Sequence, residues 1–353
     1  MKILQLPSSA LAIFVLFATL LSAEDSSKPL ETSNGLPNIS ARFHPNTTSF
    51  DIFAAPLFWT AEEIGTDCWA EVLDASTAPT YDDIQSLHFR WNLGFRVGLG
   101  YGMQHDSWDT QTSYTSFQTH GKDHLSLGNG MVHSAFLANF YVANTSGQGF
   151  SGPSYESASI HWSIGFHMLD WELGRNFLVS KALALRPFVG LKGGWIHQSI
   201  HTKWIHPDLP EAELFDMGWE NLKNNFWGIG PEGGINTKWI LLNRQNHLFS
   251  LFGNLSGAIM WGHWSFSDVF KNDIHQQIII GSQSFNSAAW MFRIFTGLQW
   301  EASLQQNRYQ FTTKLGYEMQ FWLNQLQFYS FTGGRQDNLL TLQGGSLEFC
   351  FDF

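Results

Sequence analysis

Four side chains on one short stretch, His161, Ser163, His167 and Asp170, are of the types used in hydrolysis. An imidazole beside a hydroxyl, with a carboxylate to orient it, makes a nucleophilic centre. Their spacing argues against that use, because alternate positions on one strand do not by themselves place a hydroxyl on an imidazole, and no nucleophile-elbow motif is present. Three further histidines, His197, His201 and His206, fit no standard zinc pattern and read as polar loop residues, so neither a metal nor a cofactor is expected. The largest set is different in kind. His88, Arg90, Arg96, Arg186, Lys192, Lys238, Arg293 and Lys314, offset by Glu232, Glu301 and Glu318, alternate along the chain with apolar side chains, and so do the uncharged Asn92, Asn236 and Gln299. Charges at every second position, with apolar residues between them, are what the lining of an ion- or solute-selecting passage requires.

The element that must position them is a strand with a different solvent on each face. From Leu87 to Tyr101 the odd positions are all apolar or aromatic, and the even ones are His88, Arg90, Asn92, Arg96 and glycines. Successive Cβ atoms of a strand point to opposite sides, and a tilted strand needs about nine to eleven residues to cross a bilayer. The same pattern returns over 160–168, 183–194, 226–239, 249–261, 290–301 and 309–321. In 160–168 the outward set reads as Ile160, Trp162, Ile164, Phe166 and Met168, with His161, Ser163, Gly165 and His167 inward. Pro56 predicts a bulge or a strand end, and Pro187 and Pro231 each predict a local bulge.

Composition points the same way. Of 353 residues, 44% are hydrophobic and 16% aromatic, and only 14% are charged, where a soluble domain has about a quarter. After residue 23 no run approaches the length of a membrane-spanning helix, so a closed barrel is the structure that satisfies every backbone group in lipid. The net charge of -11 disfavours nucleic acid as a partner. Outward aromatics one membrane thickness apart predict two interfacial girdles, from Trp91 with Tyr101, Trp227 with Trp239, Trp290 with Trp300, Trp261 and Tyr309. Outer-membrane lipid is their partner.

The chain opens with an apolar run from Ala10 to Leu21 that reads as a secretory signal peptide over 1–23, followed by a flexible lead-in over 24–49 and a barrel over 50–353. Short and long connections alternate strictly if strands lie near 50–60, 87–102, 108–118, 157–174, 183–199, 225–241, 248–263, 287–302, 308–323 and 338–353. The fold class is therefore an all-β, antiparallel up-and-down barrel of about ten strands, with short periplasmic turns and long extracellular loops. Trp69 to Leu73 and Val132 to Val142 could add strands in pairs, giving twelve or more. The chain ends with Phe349, Phe351 and Phe353 in alternation, a terminal strand of the kind that the barrel-assembly machinery reads on bacterial outer-membrane proteins. Cys68 and Cys350 fall at opposite ends of the barrel in this topology, too far apart for a disulfide.

Gly94-Phe95-Arg96-Val97-Gly98-Leu99-Gly100-Tyr101 with His105-Asp106-Ser107-Trp108-Asp109, the stretch Leu183 to Ile196, and Phe226-Trp227-Gly228-Ile229-Gly230 resemble segments of the pore-forming outer-membrane proteins of Legionella and the chlamydia-like bacteria, relatives of the chlamydial major outer membrane protein. The resemblance implies passive diffusion of ions and small hydrophilic solutes. Unlike the cysteine-rich chlamydial proteins, this chain has two cysteines. A barrel plugged by inward salt bridges, acting as a surface adhesin or structural envelope protein, is the alternative, and a hydrolase is the third reading. A homo-oligomer stays open.

Overall fold

The computed structural model describes residues 48–353 apart from 66, 75–80, 104–105, 127–130, 136, 138–153, 209–214, 245, 305–307 and 331–333. The signal peptide and all but the last residues of the lead-in lie outside the described residues, as does most of the stretch between Val132 and Val142. Fourteen strands follow one another: β1 (Ser49–Ile64), β2 (Cys68–Asp74), β3 (Tyr81–Ser86), β4 (Asn92–Gly102), β5 (Trp108–Ser126), β6 (Met131–Ser134), β7 (Ser154–Arg175), β8 (Phe177–Leu178), β9 (Leu183–Pro207), β10 (Met217–Arg244), β11 (His247–Asn272), β12 (Gln277–Leu304), β13 (Tyr309–Ser330) and β14 (Gly334–Asp352). Among the described residues, ten of them close an antiparallel ring in the order β7-β5-β4-β1-β14-β13-β12-β11-β10-β9, with β9 pairing back onto β7. Closure removes every open edge, which is the condition for a sheet to lie in lipid. Among the described residues, strands β2, β3 and β6 form a ladder that joins the ring's backbone pairing through β6 on β7, while Trp69 of β2 reaches in to Asp123 on β5 and Trp204 on β9. The extra strands expected near Trp69 and Val132 therefore form beside the barrel and do not enlarge it.

The strands are longer than a membrane requires. The 28 residues of β10 extend about 90 Å at 3.3 Å per residue, against an apolar band about 25 Å tall. The polarity of the two faces inverts along β9, β10 and β11. On β10, Trp227, Ile229, Ile235 and Trp239 face outward while Glu232 is buried inside; farther up, Leu222 and Phe226 are buried inside while Lys223 and Asn225 are exposed. On β9, Val189, Leu191 and Trp195 face out below, and Ile196, Ile200 and Trp204 pack inside above. On β11, Leu251, Leu255, Ile259 and Trp261 face out, then Trp264, Phe266 and Phe270 pack inside. Where the outside is lipid the inside is polar; where the outside is water the inside is a dry core.

This inversion corrects two expectations. The run Leu87 to Tyr101 is not one strand: β4 begins at Asn92, and Leu87 and Phe89 are buried inside while Trp91 is exposed. The chain changes sides at Arg90, where its N–H donates to the His120 carbonyl at 3.2 Å. In β7 the faces are the reverse of those expected. Ile160, Trp162, Ile164, Phe166 and Met168 are all buried inside, and His161, Ser163, Gly165 and His167 face out. The prolines are corrected too. Pairing simply lapses opposite Gly230 and Pro231 in the β10–β11 ladder and opposite Ala55 and Pro56 in the β1–β14 ladder, and it resumes in the same register. Pro187 pairs with Ile235 in an unshifted ladder.

Candidate functional site: the barrel interior

The membrane-level interior is a lattice of ion pairs built by the inward positions of the ring strands. Arg96 on β4 reaches three strands round the ring to grip Glu318 on β13 with two bonds of 3.0 and 2.8 Å, and Arg293 on β12 donates to the same carboxylate at 2.7 Å. Arg186 holds Asp109 at 2.6 Å and Glu172 at 2.7 Å. Lys192 lies between Asp170 and Glu232, 3.4 Å from the latter. Lys238 pairs with Glu301, which also accepts from Gln310 and Gln299 at 2.6 Å each, and Lys314 pairs with Glu348 at 2.6 Å. The planar guanidinium suits such bidentate grips on carboxylate. A cavity of about 150 Å³ remains among these groups, bordered by Arg96, Asp170, Arg186, Arg293, Asn236 and Lys238. Below it, Gly100 leaves room for the Asp51 carboxyl, which a Cβ there would overlap.

Above the lattice the bore is filled by rings. Trp59, Trp69, Trp162, Trp204, Trp264 and Trp322 are all fully buried. Phe166 on β7 meets Trp322 on β13 edge-on at 5.5 Å, although five steps round the ring separate their strands. Phe89 lies 5.6 Å from Trp162, and Phe226 4.8 Å from Trp264. Indole N–H groups find partners within this layer: Trp162 donates to Gln198 at 3.0 Å and Trp264 to the Gln325 carbonyl at 3.0 Å. Three carboxyls are enclosed here, those of Glu63, Glu220 and Asp268, and burial pushes Asp268 up to about 7. Glu63 accepts from Asn338 at 2.5 Å, and burial pushes it up to about 8, more than its hydrogen bonds to Gln198 and Asn338 hold it down.

Of the expected lining residues, Asn92, Arg96, Arg186, Lys192, Glu232, Asn236, Arg293, Gln299, Glu301, Lys314 and Glu318 occupy inward positions, and most are buried. His88 and Arg90 do not: both are exposed outside the ring, because the chain has already changed sides above Trp91. Missing from that set were the counter-charges Asp109, Asp170, Glu172 and Glu348. With them, the six cations Arg96, Arg186, Lys192, Lys238, Arg293 and Lys314 face seven carboxylates, so the expected basic excess is gone. The aromatic positions Trp91, Tyr101, Trp227, Trp239, Trp261, Trp290, Trp300 and Tyr309 all face outward, and so do Phe349, Phe351 and Phe353 at the end of the chain. Trp171 and Trp195, 43% and 52% exposed, belong to the same outward set.

The other chemical candidates disperse. His167 Nδ1 is bonded to Tyr114 at 2.9 Å and Ser116 at 3.2 Å outside the ring, Ser163 donates to the Ser199 carbonyl at 3.4 Å, and Asp170 points inside. His197 bonds Asn225 at 2.9 Å, His201 bonds Asn221, and His206 bonds Glu156 at 2.6 Å, each with its own partner. Among the described residues, only Asp51, Cys350 and Asp352 bring three ligand-type atoms within 4.8 Å of one another. The Cys350 thiol there donates to both carboxyls, at 3.8 and 3.9 Å. Both cysteines are free thiols, Cys350 at the turn end and Cys68 on β2 at the loop end, where burial and the charges of Asp67 and Glu71 push the thiol up.

Comparison with known proteins places this geometry. No curated protein matches the chain. Among solved structures, it is similar to the outer membrane protease OmpT from Escherichia coli at 9% identity, covering 93% of this chain and 99% of that one with a TM-score of 0.40. It is also similar to a major outer membrane protein from Thermus thermophilus at 10% identity (87% and 100% covered, TM-score 0.32). A Pseudomonas aeruginosa FadL homologue follows at 10% identity (90% and 94% covered, TM-score 0.31). The family described as Legionella pneumophila major outer membrane protein precursor matches residues 44–353. A ten-stranded ring with an apolar outer band, matched over nearly all its length, is thus a bacterial outer-membrane barrel, and the chain belongs to the Legionella major outer membrane protein family.

Proposed function

We infer that this protein works as a filled barrel: a non-catalytic element of the outer membrane that holds an ordered, apolar-cored extension above the lipid, where its loops meet the surroundings. The observation that carries the reading is the contact of Phe166 with Trp322 across the bore, in a layer of fully buried tryptophans. An open passage leaves its lining wet, and these linings are dry. In this reading the barrel-assembly machinery takes up the chain through Phe349, Phe351 and Phe353.

Passage of small hydrophilic solutes is the second reading. The cavity of about 150 Å³ between Arg96, Arg186 and Arg293 favours it, since water there would be the start of a polar path. Single-channel recording in a planar bilayer separates the two. The filled barrel gives a folded, heat-modifiable protein without current steps. Steps from the unaltered protein, with a size or anion preference that changes in Arg96→Ala or Arg293→Ala, would overturn the filled-barrel reading in favour of a diffusion pore.

A further inference from the structure

The outer face above the girdle carries a patch that the interior does not explain. The ladders set its residues in rows. Lys122, His161, His201 and Asn221 stand side by side on β5, β7, β9 and β10, and one row lower stand His120, Ser163, Ser199 and Lys223. The next row is Gln118, Gly165, His197 and Asn225, and directly beneath it Trp195 pairs with Trp227. The His120 and His161 rings lie 5.9 Å apart and those of His161 and His201 6.5 Å. The backbone N–H of Arg90 donates to the His120 carbonyl at 3.2 Å, which sets this exposed residue beside the β5 edge of the rows. Shallow grooves of about 740 and 790 Å³ run over these side chains.

Two properties define what the patch fits. The first is charge. The chain holds 30 acidic residues against 19 basic ones, yet these three rows contain no carboxylate. Lys122 and Lys223 are exposed, and neither makes a salt bridge among the described residues. On a protein of net charge -11, rows of exposed cations without a carboxylate are an exception that random placement does not favour; Asp123, which borders the upper groove, is occupied by the Trp69 indole N–H at 3.0 Å. The second is height. The rows begin immediately above Trp195 and Trp227, 52% and 39% exposed, and outward tryptophans sit at the level where acyl chains give way to headgroups. A cation at that height meets the headgroups of the outer leaflet.

We propose that this face, from Arg90 through Lys122 and His161 to Lys223, docks the phosphate-bearing headgroup of an outer-leaflet lipid, with Asn221, Asn225 and Gln118 bonding its sugar or ester oxygens. The continuity of the patch with the lipid-facing aromatics distinguishes this occupant from a soluble anion. Phosphate accepts charge-assisted hydrogen bonds from Lys and Arg, and a basic residue near an anionic surface is worth about fivefold in affinity. The proposal does not depend on whether the bore is filled.

The test uses the protein extracted from outer membranes in detergent and two-phosphate lipid A as the probe. Single-phosphate lipid A and inorganic phosphate are the comparisons. The expected result is saturable binding of the two-phosphate lipid, several-fold weaker for the single-phosphate form, and negligible for inorganic phosphate at equal concentration. Lys122→Gln with Lys223→Gln lowers it about 25-fold, Lys122→Arg with Lys223→Arg keeps it, and Lys181→Gln with Arg308→Gln at the turn end leaves it unchanged. Heat-modifiability on electrophoresis shows that each variant folds. Equal loss in the turn-end variant, no loss in the upper one, or equal binding of inorganic phosphate would overturn the proposal.

Discussion

The two halves of the barrel solve opposite problems with the same backbone. At membrane level the strands present leucines, phenylalanines and tryptophans to lipid and enclose arginines, lysines and carboxylates; above it they present histidines, lysines and asparagines to water and enclose tryptophans and phenylalanines. Hydrogen bonding is satisfied round the ring in both halves, so the solvent outside decides what may lie inside. In the lower half a buried cation is tolerated because a carboxylate stands within reach, as Glu318 does for Arg96 and Arg293. In the upper half the interior resembles that of a soluble β-protein, with Phe166 against Trp322 and Phe226 against Trp264. A barrel of ten strands is narrow enough for both fillings to close it.

The sharpest way to break this comparison is to unbalance the lower lattice. Glu318→Ala removes the shared acceptor of Arg96 and Arg293 and leaves two buried guanidiniums without the carboxylate they are bonded to, so about 3–5 kcal/mol of stability should be lost. Urea unfolding of the detergent-folded barrel, followed by tryptophan fluorescence, measures it. A loss below about 1 kcal/mol would mean that the lattice is wet and its charges independently solvated, which would open the lower half.

Truncating the upper filling tests the other side. Trp322→Ala deletes a fully buried ring that spans the bore, and about 3–5 kcal/mol is the ordinary cost of such a cavity. If the upper half is a cooperative core, protease resistance of the loop end falls in step with that loss. Unchanged resistance would show that the tryptophans fill space without holding the extension together.

The boundary between the halves can be located by paired substitutions on one strand. Ile229→Arg puts a cation on the lipid face of β10 and should cost about 2–4 kcal/mol if the residue lies near the midplane. Asn225→Arg, higher on the same face, adds a cation where Lys223 already stands and should cost nothing measurable. Folding yield into lipid vesicles, compared for the two variants, reads the difference. Equal yields would mean that the polarity inversion does not mark the edge of the bilayer.

That boundary is also where the sequence misleads. The ring strands and most of the lower lining are legible from period-two alternation, because at membrane level the continuous apolar face is the outward one. Above the lipid the same alternation persists with its sense reversed, and a period of two is blind to sign. In β7 the signal was present. Carrying Ile160 to Met168 outward also carries Asp170 and Glu172 into lipid, where a carboxylate is costly, whereas Leu169, Trp171 and Leu173 supply the apolar face once parity flips. In the Leu87 to Tyr101 run no such conflict exists, since Leu87, Phe89 and Trp91 share one parity and the chain changes sides between the last two. The contact of Phe166 with Trp322 joins residues far apart in sequence, so whether the bore is open or filled was not legible at all.

The smallest expected effect concerns one of the three enclosed acids of the upper half, Glu63, which shares that interior with Glu220 and Asp268. Glu63 is held by burial at about 8, above the usual carboxylate range of about 4. Between those values the folded chain keeps a proton that the unfolded chain releases, so the contribution of Glu63 is fully present at acidic pH and is lost as pH rises through about 8. The loop end should therefore become steadily more sensitive to protease between about pH 5 and 8, with no further change above that. Glu63→Gln keeps the shape and the bond with Asn338 while removing the titrating proton, and should make that dependence shallower, leaving the part that Asp268 carries, without changing stability at about pH 5. A charged lattice residue replaced in the lower half would shift stability at every pH instead, so the shape of the profile tells the two interiors apart. An identical slope in Glu63→Gln and the unaltered protein would place the titrating group elsewhere, first on Asp268, which burial pushes up to about 7.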